Sequence, residues 1–233
     1  MSLPKIEHPT FEVELPSTKA LIRMRPMLYK EEKPLFMAKQ SDDVAAILRA
    51  IKQAVTNCVI DTKFDVDKIA IFDLEFLYIR LIAMSKTNII EPIYKDGEDE
   101  REYKFQINLN DIKVEFPEKM DNLIKINDDY HLTMKYPSAS LWTNENFIGS
   151  ANVTEYLILQ CIDKVFQGDK IFVPDSEEEL KKFLEDLPVS TYTSMVEYLD
   201  NLPKLHYVYN YKNSKGSDRK IEFNSLTDFF IYL

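Results

Sequence analysis

The sequence predicts an α+β protein whose helices pack on small antiparallel β-sheets and hairpins, with no doubly wound parallel sheet. Apolar residues recur at three- and four-residue steps in some segments and at two-residue steps in others, which are the periods of helices and strands. Only 4 of the 233 residues are glycine, so the phosphate-binding loops of nucleotide-binding α/β folds are not expected. A content of 45% hydrophobic and 12% aromatic residues indicates a packed core.

The first part of the chain predicts a β-hairpin followed by a short helix. Residues 11–15 and 20–24 alternate apolar and polar side chains around a turn-rich segment, as hairpin strands do. A short helix is expected to begin near Lys30, so that Pro34 lies where a missing N–H costs little. Residues 35–37 are then expected to enter the core.

Two longer helices follow. Apolar residues from Val44 to Val55 mark one helical face, and Ser41 is placed to cap that helix. The segment Asp73–Ser85 is apolar around most of its circumference, so that helix must be covered on both sides. The two cysteines, Cys58 and Cys161, are expected to be buried apolar side chains rather than a disulfide or metal ligands.

The middle of the chain changes to the period of a strand. Between Thr87 and Tyr136 the alternation predicts one small antiparallel sheet with one wet face. Its charged loop, residues 95–101, is expected to be exposed. A break at 137–150 suggests two domains: residues 1–140, with the hairpin, the two-helix unit and the sheet, and residues 141–233, with helices, a closing hairpin and an apolar tail.

The C-terminal part of the sequence predicts helices whose apolar sides must be buried against other segments or subunits. Val153–Gln167 is read as one helix, apolar on more than one side and ended by Gly168. A capping box at Ser176 and Glu179 opens the next helix, and a further helix stops at Pro203. A hairpin then turns near residues 213–217, and the apolar tail after it must be covered by its own domain or by a neighbour.

Basic and apolar residues supply the candidate contacts with other proteins. Arg23, Arg25, Lys30 and Lys33 form a basic cluster, although a solvated face whose charges pair with Glu31 and Glu32 is the favoured explanation. The residues expected to contact partners are Arg23, Arg25, Lys30, Leu157, Ile162, Phe229, Phe230, Tyr232 and Leu233.

No catalytic or metal-binding pattern is found in the sequence. The three histidines are isolated from cysteines and from one another, and paired acids such as Asp128 and Asp129 are expected to face solvent. We therefore expect no catalytic residue, no cofactor and no metal. The net charge of −10 argues against nucleic-acid binding. No apolar run is long enough to span a membrane, and the first residues do not look like a targeting signal.

Several strings in the chain resemble one family. The order of LPST, a basic strand, the string KEEK with MAKQSDD, and FDLEFLYIRLIAMS is similar to the baseplate hub subunits and hub assembly proteins of T4-like contractile-tailed phages. The resemblance returns in LPKLHYVYNY and SLTDFF near the C-terminus. In that family the closing hairpin often carries cysteine pairs of zinc-ribbon type, and this chain departs from the family by having none there.

The resemblance implies a non-enzymatic protein that helps the central baseplate hub to form. Its partners would be other phage baseplate and hub proteins, with a homo-oligomer left open. It would act in the host cytoplasm during assembly and reside in the baseplate of the virion tail. The alternatives are an assembly chaperone that leaves before the virion matures, a tail-associated hydrolase, and an adaptor unrelated to phage.

Overall fold

The chain folds into two compact units. The computed structural model describes residues 4, 6–41, 43–148, 150–230 and 232. One unit combines residues 1–115 with residues 204–233, and the other contains residues 116–203. This division differs from the predicted 1–140 and 141–233, because the end of the chain returns to the first unit and the boundary predicted at 140 falls inside the second.

Helices and short strands are interspersed along the whole chain. The helices are α1 (Tyr29–Ser41), α2 (Val44–Cys58), α3 (Ile71–Ser85), α4 (Glu145–Ile148), α5 (Val153–Cys161), α6 (Glu177–Glu185), α7 (Val189–Asp200) and α8 (Leu226–Phe230). The strands are β1 (Phe11–Glu14), β2 (Leu21–Met24), β3 (Ile89–Ile90), β4 (Ile93–Lys95), β5 (Glu102–Lys104), β6 (Ile107–Asn108), β7 (Lys113–Glu115), β8 (Leu123–Lys125), β9 (Tyr130–Met134), β10 (Ile162–Gln167), β11 (Lys170–Phe172), β12 (Lys204–Lys212) and β13 (Asp218–Phe223). Every strand pair in the described residues is antiparallel. The predicted α+β class is confirmed.

The N-terminal hairpin of the first unit is confirmed. Strands β1 and β2 pair in register, with Val13 opposite Ile22. The turn that joins them is fixed to the start of α3, because the buried carboxylate of Asp73 accepts both the backbone N–H of Ser17, at 3.0 Å, and the Ser17 hydroxyl. Burial raises the pKa of Asp73, and the bonds from Ser17 oppose that rise.

Helices α1 and α2 depart from the prediction in two ways. Asp43, not Ser41, caps α2, since its carboxylate accepts the N–H of Ala45 at 2.9 Å. Ser41 instead ends α1 and donates its hydroxyl to the carbonyl of Ala38 at 2.8 Å. Helix α1 is also longer than expected. Because it begins at Tyr29, Pro34 lies in its second turn.

Helix α3 is the centre of the first unit. Its buried residues lie on more than one side and include Leu74, Leu77, Ile79 and Leu81, each with no exposed surface. The prediction of a helix that is covered on both sides is confirmed. Burying side chains of this size stabilises the fold by about 1.5–3 kcal/mol each.

The strands between Thr87 and Tyr136 do not form the single sheet that was predicted. Strands β3 and β6 form one pair, β4 and β5 form another, and β7 joins the sheet β13-β12-β7. Strands β8 and β9 belong to the second unit, in a four-stranded sheet with the order β11-β10-β9-β8. Each strand has only two to five residues, so alternation along the chain could not show which partner each one takes.

The second unit is built around that four-stranded sheet. Its core combines Leu132 and Met134 of β9 with Ile158 of α5 and with Met195 and Tyr198 of α7. Ser176 caps α6 by accepting the N–H of Glu179 at 3.2 Å, as the capping box predicted.

The single helix predicted over Val153–Gln167 is wrong. Helix α5 ends at Cys161, and Ile162–Gln167 is the strand β10, which pairs with β9 on one side and β11 on the other. The segment IDKVFQ has apolar residues at spacings that suit either period, and pairing on both edges satisfies the backbone of a strand. Gly168, with φ +55°, forms the turn into β11 rather than a helix end.

Candidate interaction surfaces

The apolar tail packs onto the closing hairpin of the first unit, which β12 and β13 form. Phe229 is fully buried, and its ring stacks on Phe223 of β13 with 5.0 Å between the ring centroids. Leu226 is buried as well. These side chains therefore contribute to the core of the unit. Among the other tail candidates, Tyr232 is half-buried, while the Phe230 side chain and Leu233 lie outside the described residues.

Two carboxyl groups hold the backbone at the start of this tail. Asp228 accepts the N–H groups of Asn224 and Ser225 at 2.8 and 2.9 Å. Glu75 of α3 accepts the N–H of Leu226, and burial together with the nearby negative charge of Asp228 raises the pKa of Glu75 to about 7. Glu75 thus has the environment expected of a general acid, but its carboxylate is used as a backbone acceptor.

The acidic loop between β4 and β5 is the anchor of the closing hairpin. Residues 95–101 were predicted to be exposed, yet Asp96 is fully buried. Its carboxylate accepts the hydroxyl of Tyr211 and the Nε–H of Arg219, the latter at 3.2 Å. These bonds, led by that of Tyr211, hold the pKa of Asp96 below its usual range.

The tip of the hairpin is bound by the same loop. Asp99 accepts the Ser214 N–H at 3.0 Å and the Tyr103 hydroxyl at 2.5 Å. Burial opposes ionisation of Asp99, but these hydrogen bonds outweigh it and keep its pKa low. Glu98 accepts the Nδ2–H of Asn213 at 2.7 Å. The aromatic hairpin that lacks metal-binding cysteines is therefore held by carboxylates.

The basic cluster near the N-terminus is mostly paired within the chain. Arg25 donates to both oxygens of the buried Glu31 at 3.0 and 3.2 Å and also to the carbonyl of Asn57 at 2.9 Å. Arg23 makes a fork of hydrogen bonds to Asp61 at 3.0 and 3.1 Å. Lys30 remains exposed beside Glu31, with 70% of its side chain accessible.

The side of α1 that faces away from its buried residues carries three large apolar side chains that are exposed. Leu35 and Ala38 are buried, as is Glu31, whereas Tyr29, Phe36 and Met37 are 77%, 61% and 60% exposed. Residues 29 and 36 are seven positions apart and share one side of a helix, with residue 37 about 100° away. The prediction that residues 35–37 all enter the core is therefore wrong for Phe36 and Met37. We call Tyr29, Phe36 and Met37 the α1 face.

One of the two candidates in the second unit, Ile162, belongs to its core. Ile162 is buried against Met134, and Leu157 is half-buried on α5. Cys161 lies in the same core, where burial raises its pKa to about 12, and burial likewise raises the pKa of Cys58 in the first unit to about 11. Both thiols are buried and free.

No site for a metal is formed by the residues that the structure describes. They contain no group of three or more His, Cys, Asp or Glu side chains placed to hold an ion. His206 bonds instead to Asn224 at 3.0 Å and lies 3.3 Å from Glu115. In the same described ranges no helix is long and apolar enough to cross a membrane.

The α1 face could have been found from the sequence. Placing residues 29–41 on a helical wheel puts Tyr29, Phe36 and Met37 on the side away from Leu35 and Ala38. The charges of this segment instead predict a basic cluster followed by core residues, and Pro34 predicts a shorter helix.

A small α+β chain with a well-packed core and an exposed apolar helix face has the build of a protein that works through contacts with other proteins. The family model described as "T4 bacteriophage base plate protein" matches residues 8–231, and the chain belongs to this family. No curated protein and no solved structure matches the chain. Membership gives the protein a structural role in a phage tail, in the baseplate, with other phage proteins as partners.

Proposed function

We propose that this chain is a component or assembly factor of the central baseplate hub, acting through non-covalent contacts and without catalysis. The proposal narrows the family assignment from the baseplate to the hub. It is supported by the strings KEEK, MAKQSDD and FDLEFLYIRLIAMS, which resemble hub subunits and hub assembly proteins. In this proposal the chain binds hub neighbours in the host cytoplasm and binds no nucleic acid.

The observation that carries the proposal is the α1 face. Three large apolar side chains stand exposed on one helix while its opposite side is fully used by the core. Burying each of them against a partner is worth roughly 1.5–3 kcal/mol. On the helix surface Lys33 lies between Tyr29 and Met37, and Lys30 lies beside Met37, so the contact is expected to combine apolar and basic side chains.

Complementation of a phage that lacks this gene tests the proposal. Wild-type protein should restore complete tails, whereas Phe36→Ser with Met37→Ser should leave cells with wedges that have not joined into baseplates. Leu21→Ser is the matched control, since Leu21 is 62% exposed on β2. The hub role would be refuted if complete baseplates formed with the double variant, or if the phage that lacks the gene formed them with no protein supplied.

Mass spectrometry of the restored virions separates the two forms of the proposal. A hub component is present in purified virions in a fixed ratio to other baseplate proteins. An assembly factor is found in assembly intermediates and is absent from virions.

A further inference from the structure

The second unit carries an exposed apolar strand at the edge of its sheet. Strand β11 pairs with β10 on one side and ends the sheet on the other. Ile171 and Phe172 of this strand, and Val173 after it, are 59%, 48% and 62% exposed. Soluble proteins usually protect such edges with charge, proline or a covering segment, because an unpaired apolar edge attracts other chains.

An open groove lies beside this edge. It has a volume of about 290 Å³ and runs between the sheet and α6. Its apolar lining comes from Val165 and Phe172 of the sheet and from Leu180 and Phe183 of the helix, and the carboxylate of Glu179 stands at its rim. We call this the β11–α6 groove.

The unit that contains this groove carries most of the net negative charge of the chain. The second unit, residues 116–203, contains 16 acidic and 7 basic residues, a net charge of −9, while the rest of the chain contains 23 acidic and 22 basic residues. Within α6, Glu177 pairs with Lys181 at 2.7 Å and Glu178 with Lys182 at 3.1 Å. In the described ranges no lysine or arginine forms an ion pair with Glu179 or with Asp175 beside it.

We propose that the β11–α6 groove binds a segment of another baseplate protein in which apolar side chains alternate with lysines or arginines. This inference rests on the proposed function, because it takes the partner from the baseplate. The apolar side chains would fill the groove and cover Phe172 and Val173. The basic side chains would meet Glu179 and Asp175, since complementary charge directs the encounter of two surfaces.

Charge also argues against two other occupants. Phosphate backbones would meet a unit with a net charge of −9. Two copies of the chain that joined groove to groove would bring the same carboxylates face to face. A basic partner segment would meet neither of these charge repulsions.

Binding measurements with purified proteins test this inference. The probes are the other baseplate proteins of the same phage, each immobilised separately, and the analyte is the full chain at about 0.05 M and about 0.5 M salt. One probe should bind, with an affinity that falls as salt rises. Phe172→Ser should weaken that binding by about tenfold or more. Leu123→Ser should leave it unchanged, because Leu123 is also 48% exposed and lies on the opposite edge strand of the same sheet.

A conservative charge variant separates electrostatics from folding. Glu179→Gln keeps an oxygen that can accept the Asp175 N–H, now accepted at 3.1 Å, but removes the charge. It should weaken binding about threefold at low salt and have no effect at high salt. Circular dichroism should show all variants folded.

Three results would overturn the inference. They are the absence of any binding probe, equal affinities for Phe172→Ser and Leu123→Ser, and self-association of the wild-type chain that Phe172→Ser abolishes. The hub proposal would survive each of them, since it is tested through the α1 face in complementation.

Discussion

Replacing Glu75 by glutamine should stabilise the first unit at neutral and alkaline pH. Glu75 is half-buried on α3, accepts the N–H of Leu226 and faces the negative charge of Asp228, and its pKa is raised from 4.5 to about 7. The folded chain therefore holds this proton more tightly than the unfolded chain. The free energy of unfolding contributed by Glu75 falls as pH rises from about 4.5 to about 7, and then stays level.

The size of the effect follows from the pKa difference. Each unit of pKa corresponds to about 1.4 kcal/mol, so a rise from 4.5 to about 7 makes ionising Glu75 cost at most about 3.5 kcal/mol above pH 7. Because the side chain retains some contact with water, we expect about 1–3 kcal/mol. In Glu75→Gln the amide oxygen still accepts the Leu226 N–H while the charge is removed, so the variant should gain this amount at pH 8 and almost nothing at pH 4.5.

Urea denaturation at several pH values measures this difference. The unfolding free energy of Glu75→Gln minus that of the wild type should rise between pH 4.5 and 7 and then become constant. A thermal scan at pH 8 should show a midpoint higher by roughly 2–4 °C per kcal/mol. Glu12→Gln, on the exposed side of β1, is the control and should show no such trend. A difference that does not depend on pH, or one that falls with pH, would refute the assigned environment of Glu75.

Further substitutions test other parts of the first unit by denaturation. Phe229→Ala should destabilise it by about 3–5 kcal/mol, because a fully buried ring is lost; a loss under 1 kcal/mol would show that the tail is not core. Glu31→Ala should cost about 3–5 kcal/mol, because the charge of Arg25 is left without its partner, whereas Lys30→Ala should change stability little. Asp73→Ala should cost about 1–3 kcal/mol by leaving the Ser17 N–H and hydroxyl unpaired, and an unchanged midpoint would contradict this. Elemental analysis should find no stoichiometric zinc in the purified protein.

Local patterns predicted the elements that depend on neighbours in sequence. The hairpin of residues 11–24 has alternation and a turn within a few residues, and the closing hairpin has the same features on longer strands. Helix α3 is apolar around most of its circumference over 15 residues, and no strand in the described residues is as long. In each case the residues that decide the structure lie inside the element itself.

Distant pairing decided what the sequence could not show. Strand β12 pairs with β7, so that Leu205 lies opposite Val114 and the chain end returns to the first unit. The end of α5 at Cys161 depends on β9 and β11 lying on both sides of β10. Asp96 lies in a charged loop, so the sequence predicts that it is exposed. In the fold its buried carboxylate accepts the hydroxyl of Tyr211, 115 residues later.

The candidate contact residues occupy different environments in the fold. Lys30 is exposed, whereas Arg25, Ile162 and Phe229 make contacts inside the fold. A basic or apolar residue type cannot show by itself whether its partner is in the same chain, since burial is a property of the folded chain. The concentration of negative charge in residues 116–203 could have been counted from the sequence, but its link to a groove needed the position of α6.

Fractionation of infected-cell lysates would show whether this chain assembles with the baseplate hub. Assembly intermediates separated on a density gradient can be analysed by quantitative mass spectrometry at successive times after infection. We expect this chain to sediment with hub proteins before wedges join them. A chain found only with wedges, or only as free protein throughout assembly, would contradict it.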